Sequence, residues 1–222
     1  MTDSDLRAAV QQELDWEPSI EAKEIGVAAS DGVVTLSGHV ETFAQKHCAE
    51  EIAVRVRGVR ALVSDLVVRL LDANVRPDEE IARAAANAIA WNTLLPKGEI
   101  QVRVEKGRVT LLGVVDWQYQ RASAAEGVRS LTGVRDVNNH IAVNPRIRRE
   151  VVKDEIEAAL LRNAEIDAHS IRVETRGDHV ILWGSVASWA EREEAERAAW
   201  ASPGVCHVDN HITVNATAPA FG

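Results

Sequence analysis

The chain has 222 residues and a formal net charge of −9, with 46% hydrophobic and 27% charged residues. This composition is typical of a folded globular protein and excludes a chain that is disordered throughout. The acidic balance argues against nucleic acid as a partner, because binding DNA or RNA requires a concentrated basic surface. Every apolar run is far shorter than the roughly 20 residues that span a bilayer, so we expect no transmembrane segment.

The first residues, Met1-Thr2-Asp3-Ser4-Asp5, lack the basic and apolar regions of a secretory signal peptide. On this ground we expect a cytoplasmic protein. The two cysteines, Cys48 and Cys206, lie far apart in the sequence and are expected to be free thiols, since a disulfide framework needs more cysteines in a smaller domain.

An internal repeat organises the whole chain. Three segments align without gaps, at offsets of 75 and then 71 residues, and each contains two glycines twenty residues apart, the second followed by Val. The glycine pairs are Gly38 and Gly58, Gly113 and Gly133, and Gly184 and Gly204. Self-similarity of this kind predicts tandem copies of one structural unit. We place the domains at residues 1–73, 77–145 and 148–216, followed by a flexible tail at 217–222.

The second copy illustrates the predicted elements of one unit. Asp78 is a candidate N-cap for a first helix, whose apolar positions Ile81, Ala85 and Ile89 recur at helical spacing. Residues 100–105 and 109–115 alternate between apolar and polar, as half-buried strands do, and Lys106-Gly107 between them indicates a tight hairpin. A second helix is predicted over about residues 117–130, and a third strand over 134–143.

These elements predict an α+β fold with three tandem αββαβ domains. The helix between the second and third strands requires a crossover, so each unit should contain a three-stranded mixed sheet covered on one face by two helices. Alternation assigns Val109, Leu111 and Val115 to the covered face. We expect Gly113 to lie where a helix backbone approaches the sheet closely, and Gly133 to act as the C-cap of the second helix.

One motif recurs after each hairpin as Val-Thr-Leu-Ser-Gly-His-Val (34–40), Val-Thr-Leu-Leu-Gly-Val-Val (109–115) and Val-Ile-Leu-Trp-Gly-Ser-Val (180–186). Together with the later Gly-Val pair, it resembles the BON (bacterial OsmY and nodulation) domain family over nearly the whole chain. The resemblance implies attachment to phospholipid or membrane surfaces, roles in osmotic stress, and a periplasmic location as the alternative to the cytoplasm. It implies no catalytic residues.

The residues themselves give little sign of catalysis or metal binding. His207 and His211 are four residues apart, with His140 at the position equivalent to His211. On a helix this spacing could hold a metal, but in a strand such residues lie about 13 Å apart. No nucleophile motif or phosphate loop is present. We therefore expect a non-enzyme with no metal and no cofactor.

Charge separates the copies. Residues 76–149 contain 12 Lys and Arg against 8 Asp and Glu, whereas residues 1–75 contain 7 against 13 and residues 150–222 contain 6 against 13. The basic middle copy either complements its acidic neighbours or binds an anionic partner such as phospholipid head groups. The candidate contacts are Arg103, Lys106, Arg108, Arg121, Arg146, Arg148 and Arg149.

The uncovered sheet face also separates the copies. A sheet covered on one side should be polar on the other. In copy one the second strand meets this expectation, since it contributes the mostly polar set Val33, Thr35, Ser37 and His39. Copies two and three instead place four apolar residues there, Leu112, Val114, Ile181 and Trp183. These residues either pack copies two and three together or form a surface for a partner.

The sequence thus favours a non-catalytic binding module that attaches to a phospholipid surface or a protein partner. A self-associating structural or scaffold protein is one alternative, and a regulatory protein that binds a small ligand between repeats is another.

Overall fold

The computed structural model describes residues 2–144, 153–162 and 170–215. Repeat 1 contains α1 (Asp3–Trp16), β1 (Ile25–Ser30), β2 (Val33–Val40), α2 (Phe43–Arg55) and β3 (Ala61–Val68). Repeat 2 contains α3 (Asp78–Trp91), β4 (Ile100–Glu105), β5 (Arg108–Val115), α4 (Gln118–Arg129) and β6 (Asp136–Val143). Repeat 3 contains α5 (Lys153–Arg162), β7 (Ile171–Arg176), β8 (His179–Val186), α6 (Trp189–Trp200) and β9 (His207–Val214).

Each repeat forms its own three-stranded sheet with the second strand in the centre. In repeat 2, β4 and β5 form an antiparallel hairpin, and β6 returns through α4 to lie parallel to β5. Repeat 3 has the same pairing. The predicted α+β fold of three αββαβ units with mixed sheets is confirmed. The limits of three separately folding domains stay a prediction.

The core of repeat 2 lies between its two helices and one face of its sheet. α3 buries Ile81, Ala85 and Ile89 there, and the sheet contributes the residues predicted for the covered face, Val109, Leu111 and Val115. Burial of a Val, Leu or Ile side chain stabilises a fold by about 1.5–3 kcal/mol. This apolar layer therefore fixes which face of the sheet the helices cover.

Asp78 is not the N-cap of α3, contrary to the sequence-based prediction. Pro77 occupies the N-cap position, and Asp78 is the first helical residue. Its carboxylate instead accepts hydrogen bonds from the backbone N–H groups of Lys106, at 2.7 Å, and Gly107, at 2.9 Å. Asp78 therefore ties the start of α3 to the β4–β5 hairpin, a contact between residues far apart in the sequence.

Gly133 is not the C-cap of α4 either. The helix ends at Arg129 with Ser130 as its C-cap, and Gly133 follows in the next turn with φ +92°. A Cβ at Gly133 would lie 2.9 Å from the Ile81 side chain of α3. Glycine is required by this left-handed conformation and by the close packing. Gly58 (φ +101°) and Gly204 (φ +92°) have similar conformations.

Glycine is needed at position 113 for a different reason than predicted, because the backbone that approaches it does not belong to a helix. Gly113 has φ +143°, and a Cβ there would lie 2.2 Å from the carbonyl oxygen of Glu99, just before β4. Gly184 has φ +145° and meets the Ser170 carbonyl oxygen in the same way. Gly38 shares the positive φ, at +114°. At Gly113 and Gly184 the absence of a side chain therefore makes room for the backbone that leads into the neighbouring strand.

Candidate functional site: the surfaces of repeat 2

The open face of each sheet is the face away from the helices. In repeat 2 it exposes Leu112 and Val114, as the alternation predicted. In repeat 3 the two predicted apolar residues differ, since Trp183 is 44% exposed but Ile181 only 8%. Three of the four residues are thus exposed, and packing of repeats 2 and 3 through them stays a prediction.

Two of the predicted basic residues share the open face of repeat 2 with these apolar side chains. Arg103 lies opposite Thr110, and Arg108 lies opposite Glu105 and Asp136. Arg108 Nε is 2.9 Å from Asp136 Oδ2, and an Arg103 nitrogen is 3.5 Å from a Glu105 oxygen. Each pair is exposed, so it contributes at most about 1 kcal/mol. The open face therefore combines two exposed apolar residues with polar residues and paired charges, and it is not strongly basic.

The remaining predicted basic residues do not join this face. Lys106 lies in the β4–β5 turn, beyond the sheet. Arg121 belongs to α4, in the helical layer, where its carbonyl oxygen accepts a hydrogen bond from Asn139. Arg146, Arg148 and Arg149 lie outside the described residues. The single anion-binding patch predicted from the sequence is therefore divided over at least three places.

The open face of repeat 3 is occupied by aromatic and charged side chains. Trp183 stacks on His211, with ring centroids 4.3 Å apart. His179 Nε2 is shielded from solvent and lies 2.9 Å from Asp209 Oδ2, in a geometry outside that of an ordinary hydrogen bond. In the part of the chain that the structure describes, no three His, Cys, Asp or Glu side chains could hold a metal ion together.

A group of exposed apolar side chains lies at one end of repeat 2, where α3 ends and α4 begins. Trp91, the last residue of α3, is 85% exposed. The other members are also exposed; they are Leu94, Trp117 and Tyr119. We call these four residues the aromatic end.

Hydrogen bonds hold the two parts of the aromatic end together. Gln120 Oε1 accepts a hydrogen bond from the backbone N–H of Trp117, at 3.1 Å. Its Nε2 donates to the Leu94 carbonyl oxygen, at 3.2 Å. Asn92 Nδ2 donates to Ser123 Oγ at 2.9 Å. The loop after α3 is thus fixed to the first turns of α4, so these exposed side chains belong to an ordered surface.

The signal for the aromatic end was present in the composition, since six of the nine aromatic residues are Trp. The positions equivalent to Trp91, Leu94, Trp117 and Tyr119 are Trp16, Ser19, Thr42 and Ala44 in repeat 1, and Arg162, Glu165, Ser188 and Ala190 in repeat 3. A comparison of the repeats at these positions, rather than of the second strands alone, would have found it.

The open face of repeat 1 is also less polar than its second strand suggested. Leu66 and Val68 of β3 are buried, so alternation places Val63 and Val67 on the open face, where both are exposed. The third strand was not considered in the sequence comparison, and for this reason the two valines were missed.

No helix in the described part of the chain is long and apolar enough to cross a membrane. Comparison with protein families matches the BON domain model three times, at residues 2–69, 77–145 and 149–216. The chain belongs to the BON domain family. These matches cover most of its length and agree with the three sheets of the structure.

Among known BON proteins, Osmotically-inducible protein Y of Escherichia coli (strain K12) is 31% identical over 147 residues, which cover 64% of this chain and 72% of that protein. The expected cytoplasmic location finds no support in these comparisons, and the periplasmic alternative stays a prediction.

Solved structures give weaker likenesses. CdsD, a structural protein of the type III secretion system of Chlamydia trachomatis, is 13% identical with a TM-score of 0.25, over 95% of this chain and 92% of that one. The PrgH periplasmic domain is 12% identical with a TM-score of 0.22, over 86% of this chain and 95% of that one. Likenesses at this level carry no argument about architecture or function.

Proposed function

We propose that this BON protein is a non-catalytic binding protein that attaches to a phospholipid membrane surface through the aromatic end of repeat 2. The observation that carries the proposal is the exposure of Trp91, Leu94, Trp117 and Tyr119 on one ordered surface. Trp and Tyr favour the boundary between water and lipid, where the ring is shielded and its polar atom stays hydrated. Phospholipid attachment is also what membership of the BON family implies.

The name of the relative Osmotically-inducible protein Y supports a role under osmotic stress. In this proposal repeat 2 provides the contact, because neither of the other repeats has the same four residues. Its net positive charge adds attraction to anionic head groups, which weakens as salt screens it.

Sedimentation of the full chain with phospholipid vesicles tests this proposal. We expect binding to vesicles that contain phosphatidylglycerol, and a loss of about 2 kcal/mol, or ~30-fold in affinity, for the double variant Trp91→Ala, Leu94→Ala. Both side chains are exposed, so the variant should fold normally. Trp16→Ala is the matched control, because Trp16 ends α1 and is also 85% exposed, but lies next to Glu13 and Glu17 on the wall of a groove.

The proposal is wrong if wild-type protein does not sediment with vesicles of any composition. It is also wrong if Trp16→Ala weakens binding as much as the double variant does.

One observation favours a second candidate, a protein partner or a second copy of the chain. On the open face of repeat 2 the carboxylates of Glu105 and Asp136 pair with the two arginines, and the same face exposes the apolar residues Leu112 and Val114. Such a surface suits another protein better than an anionic membrane. Light scattering over a range of concentrations tests self-association, which Leu112→Ser should weaken without affecting vesicle binding.

A further inference from the structure

A groove of about 440 Å³ lies at the other end of repeat 2 from the aromatic end, beside the β4–β5 turn. Three cationic side chains line it, Arg76, Lys106 and Arg135. Leu70 and Val75 form an apolar part of its wall. We call it the basic groove. The proposed membrane contact through the aromatic end uses none of these residues.

Both arginines pack closely against glycines that also line the groove. A Cβ at Gly107 would lie 3.0 Å from the Arg135 side chain, and a Cβ at Gly133 would lie 2.9 Å from Arg76 Cβ. The backbone N–H of Arg135 donates a hydrogen bond to the Gly107 carbonyl oxygen at 2.9 Å. The absence of a side chain at both glycines lets the arginines pack closely against the backbone there, and both arginines line the same groove as Lys106.

The charges of the groove leave an excess of positive charge. Asp78 is the one carboxylate among the described residues that line the groove, and both of its oxygens accept hydrogen bonds from backbone N–H groups of the turn. Glu80 lies 3.9 Å from Arg76 Nε in an exposed pair. Arg76 and Arg135 each donate from one terminal nitrogen to backbone carbonyl oxygens, which leaves further donors on both guanidinium groups.

Lys106 has an unusual backbone conformation for its residue type, with φ +52°. Such left-handed positions favour Gly, Asn and Asp, and the equivalent residue is Asp31 in repeat 1 and Gly177 in repeat 3. The fold thus accepts residues that suit the turn better. The ammonium group also has no ion-pair partner among the described residues.

The other cations of the groove are not required by the scaffold either. Arg76 is equivalent to Met1 of repeat 1 and to Ile147 of repeat 3, and Arg135 is equivalent to Arg60 and Cys206. Only repeat 2 has all three cations. A lysine at a left-handed backbone position, in a groove lined by two further cations, therefore points to a role for its charge rather than for the turn.

We propose that the basic groove binds a phosphate group, carried by a soluble molecule or by a lipid head group. Phosphate offers several strong acceptor oxygens to guanidinium and ammonium donors. The inference goes beyond the membrane attachment proposed above, because the groove and the aromatic end lie at opposite ends of α3. A helix of 14 residues is roughly 21 Å long.

The substitution Lys106→Asn separates binding from folding. Asn suits the left-handed backbone, so the free energy of unfolding should stay equal or rise, whereas a phosphate ligand loses one charged contact. Lys97→Asn is the matched control, because Lys97 is an exposed lysine in another turn of repeat 2, outside the groove. Both substitutions change the net charge equally.

Calorimetric titration of the full chain with inorganic phosphate and with inorganic pyrophosphate is one arm of the test and measures binding of a soluble phosphate. Sedimentation with phosphatidylglycerol vesicles is the other arm and measures binding of a lipid head group. We expect saturable binding in at least one arm, weakened about tenfold by Lys106→Asn and unchanged by Lys97→Asn. An effect in the titrations alone identifies a soluble ligand, and an effect on the vesicles identifies a head group.

The proposal is overturned if no phosphate probe, dissolved or on a vesicle, responds to the change at Lys106 more than to the change at Lys97. The variant Trp91→Ala, Leu94→Ala should leave the phosphate titrations unchanged, so failure of the groove and failure of the membrane contact are distinguishable.

Discussion

Repeats 2 and 3 share one scaffold and differ at both ends of it. Their strands pair in the same register, and Gly113 and Gly184 have nearly the same φ and the same close backbone neighbour. At one end, however, repeat 2 exposes the aromatic end where repeat 3 has Arg162, Glu165, Ser188 and Ala190. At the other end it has Lys106 and Arg135 where repeat 3 has Gly177 and Cys206.

This difference shows that the scaffold does not determine the surface chemistry of a repeat. The residues that the fold requires lie at the glycines, in the buried layer and in the contacts between helix and sheet. The loops at the two ends tolerate change, and they are where binding residues accumulate on a rigid framework. The following predictions test the shared part of this comparison first.

The largest effect is expected from the first glycine of each pair. Gly113→Ala and Gly184→Ala would each place a Cβ within 2.2 Å of a backbone oxygen, in a backbone conformation that L residues rarely adopt. We expect each to lower the free energy of unfolding by about 3 kcal/mol or more, because backbone must move to relieve the contact. Denaturant unfolding followed by circular dichroism measures this.

Gly127→Ala is the control for this prediction. Gly127 lies within α4, where a Cβ would meet only the Asn92 side chain, at 4.0 Å. It should stabilise the protein by about 0.5–1 kcal/mol, since Ala is favoured over Gly in a helix. If Gly113→Ala and Gly184→Ala differ greatly from one another, the scaffold is not shared in the way described.

A smaller effect is expected from the asparagines that join the second helix to the third strand. Asn139 donates to the Arg121 carbonyl oxygen and accepts from the Ile141 N–H, and Asn210 makes the same two bonds and a third to Glu196. Asn139→Ala should cost about 1–3 kcal/mol of unfolding free energy, and Asn210→Ala more.

Asn138→Ala serves as the comparison, because Asn138 precedes Asn139 and points to the opposite face of β6. It should change the free energy of unfolding by less than about 0.5 kcal/mol. Equal costs at positions 138 and 139 would contradict a specific role for the helix–strand bonds.

The smallest effect concerns the starts of the first helices. α1 begins with hydrogen bonds between Thr2 and Asp5, whereas α3 begins at Pro77 without a side-chain cap. The backbone N–H of Thr2, and then its hydroxyl, hold the pKa of Asp5 below its ordinary value. The folded state therefore favours the ionised form of Asp5. Its contribution to stability is fully present above the pKa that Asp5 has in the unfolded chain, and it is lost as the pH falls through the lower pKa of the folded protein.

Thr2→Ala removes the hydroxyl but keeps the backbone donor. We expect the pKa of Asp5 to rise toward its ordinary value without reaching it, as measured by NMR titration of the side-chain carboxyl group. The pKa of Glu17 is lowered by Ser19 and should not change in the same variant. An unchanged pKa of Asp5 would show that the hydroxyl makes no contribution.

The sequence by itself determined the number of repeats, the order of elements and the covered sheet face. Alternation over residues 100–115 and the helical spacing of Ile81, Ala85 and Ile89 predicted these because burial follows the period of each element. The Lys106-Gly107 hairpin was predicted for a local reason too, since few dipeptides adopt two consecutive left-handed residues.

Only the tertiary structure decided what the special residues contact. Asp78 binds a turn 28 residues away, and Gly113 admits a backbone segment that precedes it by 14 residues. The same holds for the surfaces, since Arg121 was grouped with Arg103 by charge although one lies on a helix and the other on the open face. Trp91, Leu94, Trp117 and Tyr119 form one surface because folding brings the end of α3 to the start of α4. Periodicity reports which face of an element is buried, but proximity between elements depends on how they pack, and no local pattern encodes it.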